Sequence, residues 1–297
     1  MGDVTSSEAS TGAEGFASRV ARAVADTGPL CAGIDPSVGL LGEWGLPASA
    51  DGVRTFGLRC IEAFAGVVPV VKPQVAFFER WGSAGMAALE DVLAAGRAAG
   101  LLVIADAKRG DIGSTMEAYA SAWLDPMSPL VADAVTATPY LGLGALQPAL
   151  DLAAASGRGV IVVVRSSNPE GRSLQEARTS SLQDGSSDGP SVEDMLLAAI
   201  AECNHGGLAV PGTVGAVVGA TREPSAFDLA GLGGVILAPG LGAQGGTAAS
   251  AAALFGGCPR GSVLPSASRS ILGAGPDVAG LREAARAECQ ALGDVLN

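Results

Sequence analysis

Eight short apolar runs, separated by segments with helical periodicity, are the feature that most limits how this chain can fold. Each run is apolar throughout rather than alternating, which is typical of parallel strands covered by helices on both faces. The runs are Leu30–Ile34, Val67–Val71, Leu101–Ala105, Ala132–Thr138, Gly159–Val164, Val214–Val218, Gly234–Ala238 and Val263–Pro265. Helical patterns occupy Val53–Ala65, Ala84–Ala99, Ser114–Leu124, Ala145–Ala155, Val192–Asn204 and Pro276–Leu292.

This alternation of strand and helix, repeated eight times within 297 residues, predicts an α/β protein with a single-domain (β/α)8 TIM barrel. The 43 glycines suit a fold with many tight turns between strands and helices. A doubly wound open sheet is the alternative, but no GxGxxG sequence follows the first strand. We expect a disordered tail at residues 1–12 and a barrel domain over residues 13–297.

One segment interrupts the alternation after the fifth predicted strand. Residues 166–190 are rich in Ser, Gly, Asp and Pro, which is typical of a surface insertion. We expect the part at about 170–190 to be mobile, and the chain to return to the barrel with the helix at Val192–Asn204.

Composition and charge argue against several classes of function. The net charge of −12 disfavours nonspecific binding to nucleic acid. No apolar run reaches the roughly 18 residues of a membrane span, and the N-terminus lacks the basic start and apolar core of a signal peptide. The five cysteines show no CxxC spacing and there is one histidine, so reduced thiols are favoured over disulfides or a zinc site. We expect a cytoplasmic protein that binds neither nucleic acid nor membranes.

Lysine is almost absent from the chain. Of its 18 basic residues, only Lys72 and Lys108 are lysines, and both stand near the end of a predicted strand. A position that must give up a proton cannot use arginine, because the guanidinium group stays charged. The two lysines are therefore candidates for chemistry, although an arginine-rich composition with two chance survivors is the simpler alternative.

The segment LLVIADAKRGDIGST at residues 101–115 places Asp106, Lys108 and Asp111 after the third predicted strand. Alternation along an extended chain puts Asp106 and Lys108 on the same face, and Lys72 can contribute a second ammonium group from the second strand. The result would be a Lys–Asp–Lys–Asp array at the carboxyl ends of the strands, where barrel enzymes carry their active sites. A structural ion-pair network is the alternative, but the cost of desolvating such an array favours a functional reason.

The chain resembles the orotidine 5′-phosphate decarboxylase family in seven blocks that occur in order. They are CAGIDPS at 31–37, VVKPQVAFFE at 70–79, DAKRGDIGST at 106–115, TPYLG at 138–142, VRSSNP at 164–169, PGLGAQGG at 239–246 and PSASRS at 265–270. The long loop and the SNP and GAQGG segments resemble the bacterial subgroup with larger insertions. A DxKxxD pattern by itself is shared with sugar-phosphate decarboxylases of the same barrel superfamily.

The resemblance implies a carboxy-lyase of pyrimidine biosynthesis that converts OMP to UMP and CO2 without a metal or other cofactor. Lys108 would protonate C6 of the pyrimidine between Asp106 and Asp111, and Lys72 would complete the array and bind ribose hydroxyls. The other substrate contacts implied are Asp35 and Thr138 at the ribose, Ser167 at the base, Gln244 at phosphate and base, and Arg269 at the phosphate. Whether Ser166 or Ser167 contacts the base stays open.

The resemblance also implies a homodimer in which Asp111 and Thr115 enter the neighbouring subunit's site. Both residues follow Gly110 at the start of a helix, so they can point away from their own barrel mouth. Two other functions are weighed against this one. A metal-dependent sugar-phosphate decarboxylase or aldolase is disfavoured by Lys72 and by the RGD that ends in Asp111. A noncatalytic phosphate-ligand sensor is disfavoured by the complete set of array residues.

Overall fold

The computed structural model describes residues 14–180, 189–208, 210–240 and 248–296. The predicted tail at 1–12, the central part of the predicted insertion and Gln244 lie outside the described residues.

Eight parallel strands form a closed barrel in the order of the sequence, so the predicted (β/α)8 fold is confirmed and the open sheet is excluded. Closure occurs where β8 pairs with β1 through Cys31↔Ser266 and Ala32↔Ala267. The strands are β1 (Cys31–Ile34), β2 (Val70–Pro73), β3 (Leu102–Arg109), β4 (Ala134–Ala137), β5 (Gly159–Arg165), β6 (Val214–Val218), β7 (Ile236–Pro239) and β8 (Val263–Ala267).

The α-helices of the described chain surround the strands and cover one end of the barrel. They are α1 (Phe16–Thr27), α2 (Val38–Glu43), α3 (Ala50–Phe64), α4 (Ala76–Glu79), α5 (Gly82–Ala98), α6 (Gly113–Leu124), α7 (Gln147–Ser156), α8 (Arg172–Gln175), α9 (Val192–Glu202), α10 (Ala248–Phe255), α11 (Arg269–Leu272) and α12 (Val278–Leu296). No helix in the described ranges combines the length and apolar character needed to cross a membrane.

The buried apolar residues form two clusters, as expected when alternate residues of each strand face inward and outward. The larger cluster lies between the strands and the outer helices. The smaller one fills the barrel interior with residues from the strands and from α1. Phe16 and Val20 of α1 are fully buried in this inner cluster. The amino-terminal end of the barrel is therefore closed, and a substrate must enter at the opposite end.

A partly buried ion pair holds α1 in place. Arg19 contacts Asp133 at 2.6 Å and also donates to the backbone oxygen of Gly157 at 2.9 Å. Asp133 in turn accepts a bond from the backbone N–H of Val103 in β3. This helix precedes the first strand, and the strand–helix alternation does not require it.

Candidate active site

A cavity of about 450 Å³ opens at the carboxyl ends of the strands. It is the end of the barrel where enzymes of this fold carry their catalytic residues. Several sequence-predicted residues from four different strand ends meet there, together with the loop after β5. They are Asp35, Lys72, Asp106, Lys108, Ser167 and Arg269.

Asp106 is the centre of the charged groups in this cavity. Its Oδ2 accepts a bond from Lys72 Nζ at 2.8 Å, and its Oδ1 accepts one from Lys108 Nζ at 2.5 Å. Burial by itself would raise the pKa of Asp106, but the two ammonium groups outweigh it and lower the pKa from 3.8 to about 2. Asp106 is therefore ionised at neutral pH, and each of its oxygens is bonded to a lysine.

The two lysines differ in their surroundings. Lys72 is buried, and burial alone would lower its pKa, but the carboxylates of Asp106 and Asp35 raise it above the ordinary value of 10.5. Lys108 is half-exposed, with 46% of its side chain accessible at the cavity. Lys72 thus serves as a fixed charge, whereas Lys108 can reach both Asp106 and a bound molecule.

Asp35 follows β1 and lines the same cavity. Its Oδ1 is buried and has no hydrogen-bond partner within the described chain. A buried acceptor without a donor is costly, because it has lost its bonds to water. Asp35 is therefore prepared to accept a hydrogen bond from a ligand hydroxyl group.

Two further residues contact Asp106 that the sequence analysis missed. Thr136 of β4 donates from Oγ1 to Asp106 Oδ1 at 2.8 Å. The side-chain amide of Gln74, oriented with its nitrogen toward Asp106, donates to Oδ2 at 3.1 Å and to the backbone oxygen at 2.6 Å. A sequence signal existed for Thr136, since it is a polar residue at an inward-facing position of an otherwise apolar strand.

The loop after β5 places its two neighbouring serines in different environments. Ser166 is bonded twice to Gln175, whose Oε1 accepts from the Ser166 backbone N–H at 3.1 Å and whose Nε2 donates to the Ser166 hydroxyl at 2.8 Å. Ser167 lines the cavity, and its hydroxyl forms no hydrogen bond to any other described residue. Of the two, Ser167 has the hydroxyl that is free to bind a ligand.

Arg269 begins the short helix α11 directly after β8. Its side chain is exposed and lines the cavity, and it forms no ion pair with a carboxylate of the described chain. A guanidinium group offers a planar pair of donors that matches the oxygens of a phosphate. The cavity therefore has an unpaired cation beside strands seven and eight, where barrels often bind phosphate.

Three other predicted residues do not line the cavity of their own chain. Asp111 accepts a bond at 2.8 Å from the adjacent backbone N–H of Ile112, and Thr115 is exposed on α6. Thr138 follows β4, and its backbone N–H donates to Arg109 at 2.8 Å. The described residues also contain no group of three or more His, Cys, Asp or Glu side chains arranged to hold a metal ion.

A closed barrel of eight parallel strands, with charged side chains gathered in a cavity at its carboxyl end, places the chain in the class of (β/α)8 proteins. The family model described as "Orotidine 5'-phosphate decarboxylase / HUMPS family" matches residues 29–284. The chain belongs to this family.

Similar proteins support the assignment over nearly the whole length. An orotidine 5′-phosphate decarboxylase of Salinispora arenicola is 51% identical over 281 residues, which cover 94% of this chain and 98% of the relative. A crystal structure from Streptomyces avermitilis, provisionally assigned as the same enzyme, has a TM-score of 0.87 and 47% identity, with 95% and 96% of the two chains covered. The OMP decarboxylase of Leishmania donovani has a TM-score of 0.71 and 30% identity, covering 95% and 98%.

Proposed function

We propose that this protein decarboxylates orotidine 5′-phosphate, releasing CO2 and forming UMP, as a step of pyrimidine biosynthesis in the cytoplasm. Residues 13–297 act as one catalytic domain in this proposal. The observation that carries it is the pairing of both Asp106 oxygens with lysine ammonium groups, at 2.8 Å and 2.5 Å. The same cavity also holds Arg269, which has no carboxylate partner within the described ranges. Family membership and relatives at about 50% identity support the choice of substrate.

The chemistry follows from where charge develops. When the bond between C6 and the carboxylate breaks, CO2 leaves and the electron pair remains on C6 of the pyrimidine. The Lys108 ammonium stabilises this charge and then transfers a proton to C6. Asp106 fixes the direction of the Lys108 side chain, and the buried Lys72 keeps Asp106 ionised. Both steps use groups of the polypeptide itself.

Substrate binding divides into three parts. Arg269 binds the phosphate through its guanidinium group. Asp35 accepts a hydrogen bond from a ribose hydroxyl at its unpartnered Oδ1, and Lys72, whose charge interacts with that of Asp35, binds the ribose as well. Thr138, which follows β4, is the third residue that we propose for the ribose. Ser167 binds the pyrimidine with its free hydroxyl, and Gln244, which the structure does not describe, reaches phosphate and base.

The remaining part of each site comes from a second copy of the chain. Asp111 and Thr115 do not line their own cavity, and large apolar side chains lie exposed at the same end of the barrel. Ile112 is 62% exposed and Tyr140 79% exposed. A two-fold dimer would bury such a surface on both subunits and would bring each Asp111 to the partner's Lys108. Asp111 would then face the substrate carboxylate, and the repulsion between the two negative charges would raise the free energy of the bound substrate.

The second candidate function is that of a metal-dependent sugar-phosphate decarboxylase or aldolase of the same barrel superfamily. Mg²⁺ requires carboxylate oxygens with free lone pairs. Asp106 accepts bonds from Lys72, Lys108 and Thr136, and the ammonium groups would repel a second cation at this position. The arrangement therefore favours the metal-independent reaction.

The proposal is tested by following the absorbance loss of OMP with protein that has been dialysed against EDTA. We expect full conversion to UMP, with no increase on adding Mg²⁺. If OMP is left intact while a sugar phosphate is consumed only in the presence of Mg²⁺, the proposed function is wrong.

A further inference from the structure

We propose that Thr136 is a positioning residue that sets the geometry of Lys108. Thr136 lies on β4 with 1% of its surface exposed, and it does not line the cavity. Its hydroxyl joins two parts of the array, because it donates to Asp106 Oδ1 at 2.8 Å and accepts from the Lys108 backbone N–H at 2.9 Å. This inference rests on the proposed function, since the role of Lys108 as the acid comes from it.

The backbone at Lys108 explains why such a bond is needed. Lys108 has a φ of 48°, and it is the one non-glycine residue with a positive φ in the described part of the chain. A side chain in this left-handed region is strained, and the strain persists only where surrounding contacts impose it. The hydrogen bond from Lys108 N–H to Thr136 is such a contact.

The strained backbone at Lys108 arises from an irregularity in the pairing of β3 with β4. Ala105 pairs with Val135 and Arg109 pairs with Ala137, so three residues of β3 face the single residue Thr136 of β4. This is a β-bulge, a feature found often beside active sites because it redirects a side chain. Within the bulge, regular strand pairing cannot supply an acceptor for Lys108 N–H. The Thr136 hydroxyl supplies it.

The hydroxyl group of Thr136 meets both demands of this position with a single oxygen atom. The Lys108 N–H needs an acceptor and the ionised Asp106 needs a donor, and an alcohol is both at once. Because the Thr136 proton is directed to Asp106 Oδ1, the oxygen that accepts Lys108 Nζ is held in place. The hydroxyl thus couples the backbone and the side chain of Lys108 to one carboxylate.

The substitution Thr136→Val tests this role, because valine has nearly the same shape and lacks the hydroxyl. We expect kcat for OMP to fall by about 10- to 100-fold, the scale of loss that follows from a misplaced catalytic group, while KM and the UMP dissociation constant change by less than about threefold. Thr136→Ser keeps the hydroxyl and should restore kcat to within about threefold of the wild type.

Thr213→Val is the matched control. Thr213 is also fully buried, and it donates one hydrogen bond, to the backbone oxygen of Val210 at 2.7 Å, at the amino-terminal side of β6. A threonine-to-valine change there should cost stability without changing kcat. Melting temperatures of both valine variants separate loss of fold from loss of positioning.

A second readout uses the two lysines of the chain. Protein labelled with ¹³C at the lysine Cε carbons gives two signals, from Lys72 and Lys108. In Thr136→Val we expect the Lys108 signal to move while the Lys72 signal keeps its position. The positioning role is overturned if the Lys108 signal is unmoved, if Thr136→Val keeps kcat within threefold, or if Thr136→Ser fails to rescue it. Wild-type protein that leaves OMP intact would refute the proposed function instead, and the Lys108 signal would then decide the positioning role alone.

Discussion

At the scale of single residues, the buried Lys72 and Asp106 stabilise each other's charged forms. The pKa of Asp106 is lowered to about 2 by the two lysines, against the effect of burial. Its pairing therefore contributes stability above pH 3.8 that is lost as the pH falls toward 2. The pKa of Lys72 is raised, so its contribution is present below pH 10.5 and is lost only as the pH rises through the higher folded value. The pair of Lys72 and Asp106 is therefore charged across the whole neutral range.

A pH titration of Lys72 tests this balance. We expect its ¹³Cε signal to show no deprotonation at or below the ordinary value of 10.5, because Asp106 and Asp35 oppose it. In Asp106→Asn the pKa of Lys72 should fall, because burial then acts against the charge with one carboxylate fewer. A wild-type Lys72 that titrates below 10.5 would contradict the account.

Arg269 provides a second test at this scale. Arg269→Ala should weaken binding of OMP and UMP far more than binding of orotidine, which lacks the phosphate, because the guanidinium group offers a planar pair of donors to phosphate oxygens and has no carboxylate partner among the described residues. Arg54→Ala is the control, since this exposed arginine pairs with Asp91 at 2.8 Å on the outer helices. Equal losses for OMP and orotidine would show that Arg269 does not bind the phosphate.

Much of the site could be predicted from the sequence, and the parts that were missed have a common cause. Asp35 and Arg269 follow strands, and Lys72, Asp106 and Lys108 lie in the carboxyl-terminal halves of β2 and β3, so their convergence in the cavity follows from the barrel topology. The contacts of Thr136 and Gln74 depend on the bulge in β3 and on side-chain orientation. The sequence marks Thr136 as a polar residue in an apolar strand, but no local pattern gives the contacts of Thr136 or Gln74.

At the scale of elements, the segment after β5 is attached to the barrel by a buried charge cluster. Glu193 of α9 pairs with Arg222 at 2.7 Å and with Arg165 of β5 at 3.3 Å, and all three side chains are buried. Glu176, just after α8, adds a contact to Arg222 at 2.8 Å from a half-exposed position. Through this cluster and the Gln175–Ser166 bonds, the start of the insertion is fixed beside Ser167.

The two glutamates should therefore differ in their effect on stability. Glu193→Gln leaves the buried Arg165 guanidinium group without its charge partner and leaves Arg222 with the half-exposed Glu176 alone, a loss that typically costs about 3–5 kcal/mol. Glu176→Gln removes an exposed contact and should cost less than about 1 kcal/mol. Denaturant unfolding of the two variants measures this difference, and equal losses would mean that the cluster is not the anchor of the segment.

The order of elements was predicted correctly, whereas several boundaries were not. The second strand was expected at Val67–Val71 and is found at Val70–Pro73, because Val67 and Val68 are buried without pairing in the sheet. The third was expected to end at Ala105 but continues through the bulge to Arg109. An apolar run in the sequence indicates which residues are buried. Residues next to a strand can be buried without being hydrogen-bonded to a neighbouring strand. The helix α1 precedes the first strand, and the repeating pattern gave no reason to expect it.

At the scale of the whole molecule, the account requires two subunits for each complete site. Lys108→Ala and Asp111→Ala proteins should each be nearly inactive alone. After they are unfolded together and refolded, roughly a quarter of all sites should be native, since half the dimers are mixed and half of their sites are intact. The recovery is measured by comparing the activity of the refolded mixture with the activity of each parent protein refolded alone. Verified mixed dimers without recovery would show that Lys108 and Asp111 act within the same chain.

The central claim is that Lys108 is the acid of the reaction, and turnover of OMP by Lys108→Ala tests it most directly. UMP binding and the melting temperature of the same preparation show that the fold and the remaining contacts are retained. The account predicts a loss of at least about 10²–10⁴-fold in kcat, the usual contribution of a general acid, with a further loss from the missing positive charge. A folded, UMP-binding variant that keeps more than about a tenth of the wild-type turnover would contradict it.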